Sequence, residues 1–419
     1  NEHLEFYGRG IFASNVVDSQ LAPTPAGLTI NVNLDNPNLN PTLRNLMTND
    51  ANSNNGNGTA TVRISRRFQE LGTRNSLRDT SSFQTVFGAR GQLSEAWSYD
   101  VFANYSRSAV SQIQSGNLSV SALQAAILCD GGPTAIASGC TAPHVNLFGG
   151  ENSISAAGAA FITRTGAQID TIETFQTVAT VSGELDVLTL PMAQTAPAVV
   201  FGFEYREAEA DSRPDSVLGP DVRGFNQSLP VGGVVDVYEF FGEAEIPLVE
   251  GRPGMESLAL NLAFRSSEYN TVGNTETFAV GLGWQVDEQI RLRGNFNRAV
   301  RAPNVNDLFA PLTNGFPGAS DPCSGGPNGS FSPATNVASC VAAGVPAAGA
   351  NGPNTGVGSA FQGNAQMEAN FGGNPNLGAE TADTYTIGVV ATPNMVDGLT
   401  IQLDYYNISI EDAITTVPL

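Results

Sequence analysis

The chain has no lysine. All 19 of its basic residues are arginines, against 40 Asp and Glu among 419 residues. This absence excludes mechanisms that need a lysine amine, such as a phosphate-binding P-loop, a Schiff base or a Ser-x-x-Lys nucleophile. The net charge of −21 opposes binding to nucleic acid, because that binding depends on cationic side chains that contact phosphates. We therefore predict no nucleic-acid partner.

Charged residues and histidines are also scarce. Only 14% of the residues are charged, against about 25% in an ordinary soluble domain. The only histidines are His3 and His144, so a Ser-His-Asp arrangement has at most one candidate base within the chain. No His-Glu-x-x-His, EF-hand or dinucleotide-binding motif occurs. The sequence predicts no enzyme, no metal site and no cofactor.

The chain has only four cysteines, and they fall as two local pairs in turn-rich segments. One pair is Cys129 and Cys140, and the other is Cys323 and Cys340. These spacings are too wide for a four-cysteine zinc site, which needs close Cys-x-x-Cys pairs. We predict two loop disulfides and an oxidising compartment; four unrelated thiols are the alternative.

Long hydrophobic runs are absent. No segment approaches 18 consecutive apolar residues, which excludes helical membrane spans but leaves strands, whose signal is a weaker alternation. In one such segment Leu258, Leu260 and Leu262 share one face, whereas Asn261 and Arg265 share the other. Most of the predicted strands have 10–14 residues, enough for a tilted strand to cross a bilayer. The predicted strands are 4–13, 82–93, 97–107, 174–186, 197–209, 237–248, 257–270, 276–287, 290–300, 384–392 and 399–412.

The connections between these strands alternate between long and short. The long ones are 14–81, 108–173, 210–236 and 301–383, and one brief connection, 271–275, interrupts the pattern. A membrane barrel has tight turns at one rim and large extracellular loops at the other, and both cysteine pairs fall on the long-loop side. A soluble β-protein with one solvated face explains the alternation but not this parity. The sequence therefore predicts an all-β fold, a transmembrane antiparallel β-barrel, with the strand-like segment 61–71 as one arm of a hairpin inside the first long loop.

Two segments carry a more specific pattern. The stretch RLRGNFNRAVRAPNVNDLF (291–309) combines an Arg-rich strand with Arg-Ala-Pro and an acidic-Leu-Phe ending, and NPNLGAETADTYTIGV (374–389) leads into another strand. Together they resemble the barrel of TonB-dependent outer-membrane receptors, and the resemblance extends over most of residues 1–419. The matching motif residues are Arg298, Arg301, Pro303, Asp307, Asn374, Pro375 and Glu380.

The resemblance implies a barrel of about 22 strands with a plugged lumen, of which this chain supplies about eleven and not the plug. It implies a location in the outer membrane of a Gram-negative bacterium and energised uptake of a scarce ligand of the siderophore, cobalamin, carbohydrate or peptide class. The partners implied are the bilayer, a small-molecule ligand and the TonB complex, which would act through a plug region expected before residue 1. We expect that residues 1–419 alone do not transport, because open strand edges in lipid leave backbone groups unpaired.

Ligand contacts are expected at the tips of the long loops and in the upper lumen. Lumenal Arg265, Arg291 and Arg293 are expected to pair with plug residues or with Glu204, Glu243 and Glu245; the alternative is that lumenal water solvates them. The alternative for the loop residues is packing of one loop on another. The loop candidates are Asn146, Phe148, Asp211, Asp215, Arg223, Phe225, Asn314, Phe316 and Phe331.

Two other functions are compatible with the alternation. One is a passive porin-like barrel, which has fewer strands and no plug. The other is a secreted or surface β-rich adhesin, which lacks an apolar band facing lipid.

Overall fold

Antiparallel strands make up most of the computed structural model, which describes residues 3–131, 140–325, 329–330, 337–347, 358, 365–366 and 369–416. Eleven long strands pair in one continuous order, β1-β4-β5-β6-β7-β9-β10-β11-β12-β15-β16, and short β8 is added beside β5. Their bounds are β1 Glu5–Leu21, β2 Pro25–Asn33, β3 Thr59–Arg67, β4 Arg74–Ser94, β5 Trp97–Ser119, β6 Thr163–Glu184, β7 Ala198–Pro214, β8 Val222–Arg223, β9 Val231–Arg252, β10 Met255–Tyr269, β11 Gly273–Gln285, β12 Ile290–Arg301, β13 Thr313–Gly315, β14 Ala369–Phe371, β15 Glu380–Ala391 and β16 Ile401–Glu411.

The described helices are short and lie in the connections. Within the described ranges, no helix is both long and apolar enough to cross a membrane. The α-helices are Pro41–Asn49, Val120–Leu128, Ala156–Ile162, Val305–Phe309 and Val337–Ala342, and the 3-10 helices are Gln69–Leu71, Asp186–Leu188 and Ser216–Leu218.

Each of the eleven predicted strands is present, but several extend further than the apolar alternation indicated. The strand predicted over 97–107 continues to Ser119, and the one predicted from 174 begins at Thr163. These extensions pair with each other in register, from Arg107 with Glu173 to Gln114 with Gly166. Backbone pairing does not require apolar side chains, so the polar ends of the strands carry no sequence signal. The predicted loops 14–81, 108–173 and 210–236 therefore include the polar ends of strands.

The parity of the connections is confirmed. Because neighbouring strands run antiparallel, alternate connections lie at the same end of the sheet. The tight turns at 95–96, 253–254 and 286–289 share one end, and the long connections after β1, β5 and β12 share the other.

The hairpin predicted around 61–71 is also confirmed. β3 pairs with β2 along its whole length, in register from Asn33 with Thr59 to Pro25 with Arg67, and lies between β1 and β4 in the sequence as a two-stranded sheet of its own. Alternate residues of β2 are buried, so this hairpin has one face on a core.

That core lies mainly in the long connections, and the large sheet contributes Leu118 at the end of β5. The helix Val120–Leu128 packs on β2, and Phe68, Leu118 and Leu123 are fully buried with residues from the segment 145–162. We call this unit, formed by residues 22–73, 118–131 and 140–162, the loop domain. Burial of large apolar side chains gives about 1.5–3 kcal/mol each, enough to hold two connections together as one body.

Candidate functional site

The large sheet has one apolar and one polar face, which determines where each functional side chain can act. Phe201, Phe240 and Leu403 on the apolar face are 57%, 64% and 70% exposed. Large apolar side chains that are this exposed on a single chain indicate a surface that contacts another apolar environment, such as a membrane or a protein. For a sheet whose strands are this long, that environment is lipid.

An aromatic belt crosses the apolar face near the end that carries the long connections. Ring centroids are 5.7 Å apart for Phe83 and Tyr105, 6.2 Å for Phe175 and Tyr205, and 4.7 Å for Tyr205 and Tyr238. The belt continues across β11, β12 and β15 through Phe278, Phe296 and Tyr385. Membrane barrels place aromatic side chains at both edges of the hydrocarbon layer. The belt therefore marks one edge, beyond which the strands continue.

The polar face holds a network centred on Arg265 of β10. Its Nη1 donates to Glu239 Oε2 at 2.9 Å and lies 3.4 Å from Glu204 Oε2. Glu204 and Glu239 are only 6% and 3% exposed, although they lie on the polar face of the sheet. The pairing of Arg265 with Glu204 agrees with the expectation from the sequence, whereas Glu239 was not singled out.

Neighbouring strands satisfy the remaining oxygens of the two carboxylates. Ser267 Oγ donates to Glu239 Oε1 at 2.7 Å, and Gln176 Nε2 donates to Glu204 Oε1 at 2.8 Å. Arg206 Nη1 adds a contact of 3.2 Å to Glu204. Two arginines thus balance two carboxylates, as buried charges require. The network links side chains of four strands, β6, β7, β9 and β10.

The other charges predicted on the polar face do not join this network. Arg293 pairs with Asp404 at 2.8 Å. Glu243 and Glu245 are exposed and line a cavity of about 620 Å³ beside Asn261 and Asn295. This cavity has a polar lining that can hold water or a polar group. Arg291 is exposed and forms no salt bridge with any residue of the described ranges.

Asn146 and Phe148 lie in the loop domain, away from the network. Asn146 Oδ1 accepts the N–H of Phe148 at 2.9 Å, so the side chain closes its own turn. The Phe148 ring is partly buried and packs against the core of the loop domain. These observations fit the alternative of loop packing for Asn146, and they leave one side of Phe148 accessible.

Asp211 and Asp215 lie at the end of β7 and act locally. Asp211 pairs with Arg213 at 2.5 Å. Asp215 caps the 3-10 helix Ser216–Leu218, since its Oδ1 accepts the N–H of Val217 at 2.9 Å. Its other oxygen accepts the N–H of Ala167 at 2.8 Å. Asp215 therefore joins β6 to the connection after β7.

Arg223 and Phe225 lie in the connection after β7. Arg223 donates to the carbonyls of Pro220 and Val222, each at 2.9 Å. The ring of Phe225 stacks 5.6 Å from the Arg74 guanidinium carbon. The Arg223 side chain thus closes its own turn while its backbone pairs with Leu118 of β5, and the Phe225 ring contacts Arg74 of β4.

The remaining candidates lie in the long connection after β12. Asn314 Oδ1 accepts the N–H of Gln227 at 3.2 Å, which links this connection to the one after β7. Phe316 is 41% exposed and is the aromatic candidate most open to a ligand among the described loop positions. Phe331 lies outside the described residues.

The family-motif residues form two ion-pair clusters at the long-loop end of β12. Arg298 makes a bidentate pair with Asp383 of β15, at 2.8 Å from Nε and 2.7 Å from Nη2. Arg301 reaches Asp307 at 3.0 Å and Glu380 at 3.6 Å.

Asp307 organises the segment that leaves β12. It forms a capping box with Asn304 at the start of the helix Val305–Phe309, and its carbonyl accepts the N–H of Asn374 at 2.8 Å. Pro303 is buried, whereas Pro375 is exposed. The two motif segments recognised separately in the sequence are therefore in contact. Their role here is to hold the two ends of the connection 302–379 together.

Two disulfide bonds lie in the connections after β5 and β12. Cys129 is bonded to Cys140, and Cys323 to Cys340. The first follows the helix Val120–Leu128 and closes a loop of the loop domain.

One contact that sequence reasoning missed joins the loop domain to the connection after β7. Asp221 accepts hydrogen bonds from Ser119 Oγ at 2.6 Å, Ser121 Oγ at 2.9 Å and the N–H of Ser121 at 2.7 Å. Burial raises the pKa of Asp221, but these hydrogen bonds outweigh burial and the net pKa lies below its usual value. Ser119, directly before the run VSALQAAIL, is a helix-start signal, and it was the available clue.

Comparison with known proteins gives a family match over nearly the whole chain. The model of the family described as "TonB dependent receptor-like, beta-barrel" matches residues 26–419. No match was found among curated proteins.

Solved structures similar to this chain include two siderophore-related receptors and one peptide transporter. The ferric enterobactin receptor PfeA of Pseudomonas aeruginosa is 13% identical, with 97% of this chain and 54% of that chain covered and a TM-score of 0.37. The siderophore receptor PirA of Pseudomonas aeruginosa is 13% identical, with coverages of 81% and 52% and a TM-score of 0.36. The RagAB peptide transporter is 13% identical, with coverages of 84% and 32% and a TM-score of 0.43. The chain thus spans about half the length of these receptors, and less of the transporter.

TonB-dependent receptors are outer-membrane β-barrels of Gram-negative bacteria that take part in transport. The two-faced antiparallel sheet and the paired motif segments agree with the family match, which extends from residue 26 to residue 419. This chain belongs to the TonB dependent receptor-like, β-barrel family.

Proposed function

We propose that this chain is part of the wall of an outer-membrane receptor that takes up a scarce ligand with energy supplied by the TonB complex. The observation that carries the proposal is the difference between the two faces of the large sheet. One face is apolar and has the aromatic belt, and the other has the hydrogen-bonded network of charged residues around Arg265. Family membership supports the same function. The ligand class proposed is a siderophore, cobalamin, a carbohydrate or a peptide.

Coupling to the TonB complex is proposed to act through a plug region of the whole receptor. The exposed Glu243 and Glu245, beside the cavity of about 620 Å³, offer unneutralised carboxylates to whatever fills the lumen. The network around Arg265 is internally balanced and is expected to contribute rigidity rather than plug contacts.

Uptake by whole cells tests the function. A strain lacking the gene is grown on candidate nutrients of the four ligand classes, and uptake of the rescuing nutrient is then measured with and without TonB. We expect uptake to require both the receptor gene and TonB. Uptake that persists without TonB would instead favour a passive barrel, and a protein that fractionates away from outer membranes would remove the proposal.

Placement of the long connections outside the cell is a separate part of the proposal. Leu46 is 64% exposed on the loop domain, whereas Asp287 lies in a tight turn at the opposite end of the sheet. A membrane-impermeant maleimide is expected to label Leu46→Cys on intact cells, and Asp287→Cys only after lysis. The reverse pattern contradicts the placement.

A further inference from the structure

One edge of β3 in the loop domain is open. At the two ends of the β2–β3 hairpin, Leu34 N–H donates to Gly58 at 2.9 Å and Phe68 N–H donates to Thr24 at 2.9 Å. Alternate residues of an antiparallel strand point their peptide groups to opposite edges. The even-numbered residues of β3 therefore bond to β2, and the odd-numbered ones face away.

The first part of that second edge is already paired within the chain. Thr61 N–H donates to Ser53 at 2.8 Å, and Asn55 N–H donates to Thr59 at 3.0 Å. Beyond this point Arg63, Ser65 and Arg67 are exposed, and no hydrogen bond joins their peptide groups to another part of the described chain. An exposed row of free N–H and C=O groups is a template for another strand.

An apolar groove runs beside this free edge. It consists of two adjoining cavities of about 570 and 440 Å³ that share Ile64 and Phe148. The first is walled by Leu43 and Met47 of the helix Pro41–Asn49, and the second by residues 147–151. The groove follows six residues of β3, Val62 to Arg67, about 20 Å of extended chain.

Charge limits which strand can dock here. Arg63 and Arg67 are exposed and border the two cavities of the groove, in a chain whose net charge is −21. A second copy pairing edge to edge would bring these arginines against the same arginines, which is unfavourable for residues directly opposite each other. A strand with carboxylates opposite Arg63 and Arg67 gains favourable charge pairs instead.

We propose that the free edge of β3, from Arg63 to Arg67, binds an extended segment of another protein as an added β-strand. Alternate side chains of that segment are apolar and enter the groove over Ile64 and Phe148. The intervening ones are acidic and lie opposite Arg63 and Arg67. This is strand addition, in which main-chain hydrogen bonds give affinity and alternate side chains give specificity. Access from outside the cell rests on the proposed function, but the binding itself does not.

The test uses the full-length receptor in detergent and a fluorescein-labelled peptide of alternating valine and glutamate. Ser65→Pro removes a donor only from the free edge, and proline is tolerated where a strand N–H faces solvent. We expect Ser65→Pro to weaken binding about tenfold or more, whereas Ser65→Ala keeps the donor and binds like the wild type. The same peptide methylated on alternate backbone nitrogens is expected to lose binding to the wild-type receptor.

Hydrogen exchange provides a readout specific to this geometry. Peptide binding is expected to slow exchange of the amides of Arg63, Ser65 and Arg67, and a lysine version of the peptide is expected not to. Should Ser65→Pro not fold, the methylated peptide and the double variant Arg63→Glu, Arg67→Glu give the same decision. Three results would overturn the proposal. They are no binding of the peptide at about 1 mM, equal binding to the wild type and to Ser65→Pro, and import of the peptide by cells as a transported ligand. None of these measurements depends on TonB, so failure here is distinct from failure of the transport proposal.

Discussion

Arg265 and Glu239 lie 2.9 Å apart on the polar face of the large sheet, and Glu239 is only 3% exposed. Removal of Arg265 would leave two buried carboxylates without their shared cation. Breaking a fully buried pair costs about 3–5 kcal/mol. Since the Arg265 side chain is 35% exposed, we expect Arg265→Ala to cost about 2 kcal/mol. Urea unfolding of the full-length receptor, followed by heat-modifiable migration on a gel, measures this loss.

Arg293 provides the matched control on the same face. Its pair with Asp404 is open to solvent, with side chains 47% and 35% exposed. Exposed pairs contribute about 0–1 kcal/mol, so Arg293→Ala is expected to change stability little. Equal losses for the two variants would show that the Arg265 network is no more important than a surface pair.

Much of the large sheet could be predicted from the alternation of apolar and polar residues alone. Successive side chains of a strand point to opposite faces, so a sheet with one apolar and one polar face has a sequence period of two. The partner of Arg265 could be predicted only partly. Glu204 could be assigned to the same face as Arg265 from the alternation. That Glu239 also contacts Arg265 depends on the register between β9 and β10, which shifts at Leu258/Ala259. A register is a property of two paired strands, and neither strand encodes it locally.

The loop domain was beyond sequence reasoning for a related physical reason. Its core collects apolar residues from several separate segments between residues 26 and 162, and no segment indicates by its own sequence which of the others it packs against. The polar extension of β5 past Arg107 is similar, because it is defined by its pairing with β6 and not by its composition. The motif residues Arg301 and Glu380 could be named from their pattern, but their contact became visible only in the fold.

Asp307 is predicted to hold the start of the long connection after β12. Its side chain accepts from Arg301 and from the N–H of Asn304, each at 3.0 Å. Asp307→Ala removes both contacts, of which the second is one half of the capping box, at a cost of about 1–2 kcal/mol. Limited proteolysis of the full-length receptor is expected to cut faster within the connection 302–379.

The control for Asp307 lies on the same helix. Asn306 is exposed, and Asn306→Ala is expected to leave the cleavage rate unchanged. If Asp307→Ala also leaves the rate unchanged, the capping contacts do not hold this connection.

The contact of Asp221 with Ser119 and Ser121 is predicted to depend on pH. The net pKa of Asp221 is lowered from 3.8 in the folded chain, so its carboxylate stabilises the contact above that pH. The stabilisation is lost as pH falls through the lowered pKa. We expect hydrogen exchange at the N–H of Ser121 to accelerate below about pH 4.

Asp221→Asn tests whether this pH dependence comes from the charge of Asp221, because asparagine has a similar shape but no titratable group. The amide keeps an acceptor oxygen but does not titrate, so the exchange rate at Ser121, corrected for intrinsic pH effects, is expected to be independent of acid. Asp221 and Ser121 are exposed, whereas Ser119 is buried, so the loss at neutral pH is about 1 kcal/mol. An identical acid response in wild type and variant would assign the effect to another group.

The loop domain is predicted to open independently of the large sheet. Leu123 is fully buried in its core, so Leu123→Ala should cost about 2–4 kcal/mol. Leu46 is 64% exposed, and Leu46→Ala should cost under about 0.5 kcal/mol. Hydrogen exchange of the full-length receptor in detergent is expected to accelerate in the loop domain of Leu123→Ala, while β9 and β10 stay as protected as in the wild type. Because the core of the loop domain shares no buried residue with those strands, accelerated exchange in both places would mean that the connections and the sheet form one cooperative unit.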